Sequence, residues 1–146
     1  MSVQGRVLGI DYGSRRVGVA MSDPLRVLAG GVGTLDNNDT LLDRLAGIVE
    51  EHQVTLVVVG MPYAPDGGKG AKGREVESFI RRLESMLPVT ITTWDESFSS
   101  VEAQRTFRQG GMKRKQRQEK ARVDEMAARL MLQEYLDARP EEAFPA

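Results

Sequence analysis

Three carboxylates stand out in this sequence by where they fall. Asp11 follows the short β-prone run RVLGI at 6–10, and Glu96 follows VTITTW at 89–94, inside Asp95-Glu96-Ser97. Asp124 lies in a C-terminal helical stretch, where 100° per residue centres it on the face of Ala127, Ala128, Met131 and Tyr135. The ends of sheet strands are where α/β folds expose site-forming residues, and two of the three acids sit at such ends. Carboxylates are hard oxygen donors suited to Mg²⁺ or Mn²⁺. Two such ions about 4 Å apart can clamp a phosphate, activate a water and stabilise the leaving oxygen without a covalent nucleophile.

Each acid also has a purely structural explanation. Asp11 can fold back on its own backbone as a turn aspartate in the DYG bend. Asp95 or Glu96 can complement a helix dipole. Asp124, an acid on an apolar stripe, requires compensation by a metal or a cation, and a salt bridge to Arg15 or Arg16 would supply it. The remaining composition narrows the chemistry. There is no cysteine, which excludes disulfides, thiolate metal sites and a thiolate nucleophile. The single histidine, His52 in VEEHQV, excludes a multi-histidine metal site and reads as a residue at a helix C-terminus.

The elements that must position these residues follow from hydrophobic period and turn signals. Residues 6–10 and 16–21 (RVGVAM) read as a hairpin about Gly13, and a glycine-interrupted run at 27–35 as an edge strand of the same meander. The polar residues 36–40 offer an N-cap to a helix bearing Leu41, Leu42, Leu45, Ile48 and Val49. The run VTLVVVG at 54–60 has the pattern of a strand buried on both faces. A glycine-rich loop at 64–73 precedes a helix marked by Val76, Phe79, Ile80, Leu83 and Leu87. The strand at 89–94 follows, then a helix from Ser99 or Ser100 to about Gln109, a break at Gly110-Gly111, and a last helix over 116–138. Three strands in a meander followed by αβαβα predict an α/β fold, a mixed five-stranded sheet flanked by helices in the RNase H-like order. A chain of 146 residues is expected to form one such domain, residues 1–146.

Charge is segregated. Net charge is −1, yet between Arg105 and Arg122 eight basic residues face one acid, a local +7 that leaves −8 elsewhere. Such a stretch leading into the helix of Asp124 implies an anionic partner met at one place. With few aromatics nearby, contact with a phosphate backbone is expected rather than base stacking. The candidate contacts are Arg15, Arg16, Lys69, Arg74, Lys113, Arg114, Lys115 and Arg117. The N-terminal MSVQGRVLGI has no long apolar core behind a basic start, and the longest apolar run is too short to span a bilayer, so a cytoplasmic protein with no membrane partner is expected.

GIDYGSRRVGVAMSD (9–23), GMP (60–62), DESFSS (95–100) and DEMAA (124–128), in that order across nearly the whole chain, resemble the successive motifs of the YqgF/RuvX family. The resemblance implies an RNase H-like nuclease that processes the 5′ end of precursor 16S ribosomal RNA, or else resolves Holliday junctions in recombination and repair. It further implies that Asp11, Glu96 and Asp124 occupy the family's acidic positions. Ser97 departs from the pattern, since many members carry an arginine after the Asp-Glu pair; Arg74 or Lys69 are candidate substitutes. A related resolvase family takes its second carboxylate from the end of the fourth strand, where this chain has none, so Glu96 takes that role.

Two other classes compete. The hairpin also resembles the phosphate-binding turn of the actin, Hsp70 and sugar-kinase fold, which needs two facing domains. The loop GGKGAKG lacks the Gly-Lys-Ser/Thr of a P-loop and reads as a surface loop or a flap over the substrate. In the other class, a non-catalytic nucleic-acid-binding module, the basic stretch acts alone and the acids are structural. Monomer and homodimer are both compatible with the sequence, a two-fold dimer suiting a two-fold junction.

Overall fold

Alternation along the strands of the computed structural model sorts the core into two layers. The structure describes residues 5–63, 67–95 and 114–138, with side chains of the last segment from Val123 onward. The strands are β1 (Arg6–Tyr12), β2 (Arg16–Ser22), β3 (Ala29–Asp36), β4 (Val54–Met61) and β5 (Thr90–Asp95). The helices are α1 (Leu41–Glu51), α2 (Gly70–Met86) and α3 (Arg114–Ala138). The sheet order is β3-β2-β1-β4-β5; β1, β2 and β3 pair antiparallel, and β4 pairs parallel with both β1 and β5. This is the predicted mixed sheet.

Strand parity decides which layer each residue joins. Leu8, Ile10, Val17, Val19, Val57, Val59 and Met61 meet Leu41, Leu45 and Val49 of α1 and Val76, Phe79 and Leu83 of α2. The alternate residues Val7, Ala20, Leu56 and Val58 meet Ala127, Ala128, Met131, Leu132, Tyr135 and Leu136 of α3. β4 is covered on both faces, as its unbroken β-branched run requires; only Thr55 is exposed. Trp94 of β5 packs on the α3 side, its ring edge-on to Tyr135 with centroids 5.6 Å apart.

The α3 layer is close because the sheet is thin there. A Cβ on Gly9 would lie 2.8 Å from the Leu132 Cβ, and one on Gly18 would overlap the Asp124 carbonyl. Gly9, Ala20 and Gly31 pair in a row across β1, β2 and β3, a shallow trough of small residues beneath the helix.

Two expectations need correction. The loop at 64–73 is shorter than its glycines imply, because α2 begins at Gly70. The first turn of α2 buries no apolar side chain before Gly73, Ala71 being exposed, so the hydrophobic rhythm starts at Val76 and the helix begins before its pattern does. At α1, Thr40 occupies the N-cap without a side-chain cap; Asn38 supplies the turn instead, its Oδ1 accepting from the Thr40 N–H at 2.9 Å. His52 is the C-cap of α1, as read. The expected helix at 99–109 and the break at Gly110-Gly111 lie outside the described residues.

Candidate active site

Asp11 is the next-to-last residue of β1 and pairs with Gly18 of β2. Parity places it with Val7 and Gly9, on the face that α3 covers, and it is 4% exposed. An aspartate so deeply placed among apolar residues demands compensation from its surroundings. Opposite it, Gly18 is the point where α3 presses closest, with Asp124 directly above. The two acids that the sequence placed on a strand end and on a helix face are thus brought to one corner of the molecule, with glycine between them.

The corner also holds a cation. Arg16 opens β2, and its Nε lies 3.4 Å from Asp124 Oδ2, with 24% and 14% of the two side chains exposed. This is one of the two structural pairings that sequence reasoning offered for Asp124; Arg15, the other, is exposed, and its carbonyl accepts from the Asn37 N–H. Asn37 also donates from Nδ2 to the Gly13 carbonyl at 2.8 Å, which fixes the β1–β2 turn beside Asp11.

The other candidates fall elsewhere. Glu96 and Lys113 lie outside the described residues; Glu96 follows Asp95, the last residue of β5, which pairs with Met61. Lys69 and Arg74 are exposed at the start of α2. Lys69 pairs with Glu77, which raises the lysine pKa and lowers that of the glutamate. Arg114, Lys115 and Arg117 lie in the first turns of α3, roughly 10–15 Å along the helix axis before Asp124 at 1.5 Å per residue.

Among the described residues no three Asp, Glu, His or Cys side chains gather as a ready ligand set. The donor chemistry of Asp11 and Asp124 nonetheless fits a hard divalent cation: two carboxylate residues, one buried and one partly so, stand on either side of Gly18, where the Arg16 guanidinium already meets Asp124. Asp11 and Asp124 would hold the ion. Sequence reasoning missed Gly18 as a site-forming residue, although its position two before Ala20 in the alternating VGVA was the available signal.

The sheet order and the helices on its two faces define an RNase H-like domain. Residues 5–138 match the family described as RuvX: Holliday junction resolvase, and the chain belongs to that family. Three similar relatives carry the name "Putative pre-16S rRNA nuclease". That of Bacteroides fragilis is 36% identical over 135 residues, covering 92% of this chain and 97% of the relative. That of Ruminiclostridium cellulolyticum is 40% identical, covering 90% and 94%, and that of Koribacter versatilis is 38% identical, covering 94% and 90%. Among solved structures, Thermus thermophilus RuvC in complex with a Holliday junction substrate superposes with a TM-score of 0.54 at 11% identity, covering 92% of this chain and 95% of that one. RuvC has the RNase H-like fold, and at this identity the likeness speaks to fold alone. No helix among the described residues is long and apolar enough to cross a membrane.

Proposed function

We propose that this chain is a divalent-metal-dependent nuclease, a single domain acting in the cytoplasm on the 5′ end of precursor 16S ribosomal RNA. The observation that carries the reading is that α3 sets partly buried Asp124 over Gly18, the strand partner of buried Asp11, in a chain whose curated relatives are named for that activity. Asp11, Asp124 and Glu96 are the proposed metal ligands, with Mg²⁺ or Mn²⁺ as the ion. When bound, the metal supplies Lewis acidity at the scissile phosphate and lowers the pKa of the attacking water. The protein's own share is to hold the carboxylates in place on sheet and helix and to keep the corner partly dry. Arg114, Lys115 and Arg117 at the start of α3, with Lys113 before them, are proposed to meet the phosphate backbone. Arg15, Lys69 and Arg74 are proposed as peripheral contacts, with Lys69 restrained by Glu77.

The second reading, resolution of a four-way DNA junction, is favoured by the description of the family itself. The test of the catalytic core is common to both. Asp11→Asn, Glu96→Gln and Asp124→Asn are each expected to lower cleavage of structured RNA by at least a hundredfold in Mg²⁺ or Mn²⁺, with circular dichroism unchanged and wild-type activity lost in chelator. Near-normal turnover by Asp124→Asn would remove the three-carboxylate site.

A further inference from the structure

We propose that Arg16 and a divalent cation are alternative partners of Asp124, so that metal entry frees the Arg16 guanidinium to take a substrate phosphate. The proposal rests on the metal-nuclease reading above and adds to it a metal-dependent substrate contact. Asp11, Asp124 and Arg16 all lie on the α3 side of the sheet, at the end of β1 and the beginning of β2. With two carboxylates in this corner, a guanidinium beside one of them offsets the repulsion that two acids would otherwise feel. A divalent ion placed there does the same and repels the guanidinium, so the two cations compete for one carboxylate.

The geometry of the pair fits exchange better than a permanent tether. The contact is made by Nε to a single oxygen at 3.4 Å. Arginine–carboxylate pairs that hold firmly are two-pronged, at about 2.7–2.9 Å. A quarter of the Arg16 side chain is open to solvent, which leaves a path for it to turn outward. Once displaced, its planar fork is well matched to the two oxygens of a backbone phosphate, whereas a lysine would offer only a point charge. Arg16 opens its strand, so its backbone is fixed by pairing with Asp36 while the long side chain can swing.

The full-length protein tests this directly. Titration of wild type and Arg16→Gln with Mn²⁺ alone, by calorimetry, is expected to show about tenfold tighter binding in the variant. That is the size expected from removing one charge about 6 Å from a divalent ion in a water-like dielectric. Affinity for an RNA hairpin, measured in Ca²⁺ and in EDTA, is expected to fall more for Arg16→Gln in Ca²⁺, where the wild-type arginine is free. In the wild type, the Arg16 Nε–H resonance, assigned by its absence from Arg16→Lys, is expected to shift on saturation with Mg²⁺. This readout stands even where Arg16→Gln does not fold. Unchanged or weaker Mn²⁺ binding by a folded Arg16→Gln, or an Arg16 resonance unmoved by Mg²⁺, would show a fixed structural ion pair and overturn the proposal. Absence of Mn²⁺ binding by the wild type itself would instead remove the metal site, and the exchange with it.

Discussion

Asp23 lies just past the end of β2, away from the acidic corner at the strand's start, yet its carboxylate organises the turn that aims β3. Oδ1 accepts the Val27 and Leu28 N–H groups at 2.8 and 2.7 Å, and Oδ2 accepts that of Leu25 at 2.9 Å. These donors hold its pKa below the ordinary value of 3.8, led by the Leu28 N–H and joined by Val27 and Leu25, against an opposing effect of burial. A depressed folded pKa adds stability above the unfolded pKa, and this is lost as pH falls through the folded value. Asp23→Ala is therefore expected to destabilise the protein by about 1–2 kcal/mol at neutral pH, after allowing for solvent screening. The difference between variant and wild type should shrink below about pH 4. Urea denaturation at pH 7 and pH 3 measures both; an equal difference at the two pH values would dissociate the turn from the carboxylate's charge. The sequence showed Ser22-Asp23-Pro24 only as a turn. Which of several acids accepts three backbone donors depends on the chain returning from Leu28, and no local pattern encodes that.

At the scale of elements, the glycines of β1 and β2 decide how near α3 lies to the sheet, and hence where Asp124 stands. Gly18→Ala would drive a Cβ into the Asp124 carbonyl, which is backbone and has no rotamer by which to yield. Overpacking of this kind costs about 1–3 kcal/mol and displaces the helix. Gly47 of α1 is the control, since nothing lies within 4 Å of its added Cβ. Gly47→Ala is expected to stabilise by about 0.5–1 kcal/mol through helix propensity. Thermal unfolding of the two variants should therefore move in opposite directions, and only Gly18→Ala should weaken Mn²⁺ binding. A Gly18→Ala protein as stable as wild type would mean that α3 is free to shift. The hydrophobic period was enough to find β1, β2, β4, α1 and α3, because each buries a run or stripe of apolar residues, whereas β3 and β5, which hold no fully buried residue, were legible only as β-prone runs between turn signals. It failed at the start of α2, where Gly70 to Gly73 present none. It also pointed to an inward Asp124 but not to its partner: Arg15 and Arg16 are adjacent in sequence, and only the start of β2 at Arg16 puts one on the α3 side and leaves the other exposed.

For the whole molecule the choice is between RNA and DNA as substrate, and the proposed metal-binding acids do not make it, because a metal would act on a phosphate common to both. Selection must then come from shape. Four Phe, three Tyr and one Trp leave little surface for stacking unpaired bases, and Phe79 and Trp94 already serve the two packing layers. On the proposed reading, helical geometry and 2′-hydroxyl contacts are the remaining discriminators. Such recognition gives modest preference between folded nucleic acids in vitro, so the assignment is best tested in cells. Depletion of the protein is expected to leave 16S ribosomal RNA with extended 5′ ends, detected by primer extension, while four-way junctions stay at their normal level on two-dimensional gels. Re-expression of wild type should restore the mature ends, and Asp11→Asn should not. Mature 16S ends together with accumulating junctions in the depleted cells would reverse the ranking and make junction resolution the function of this active site.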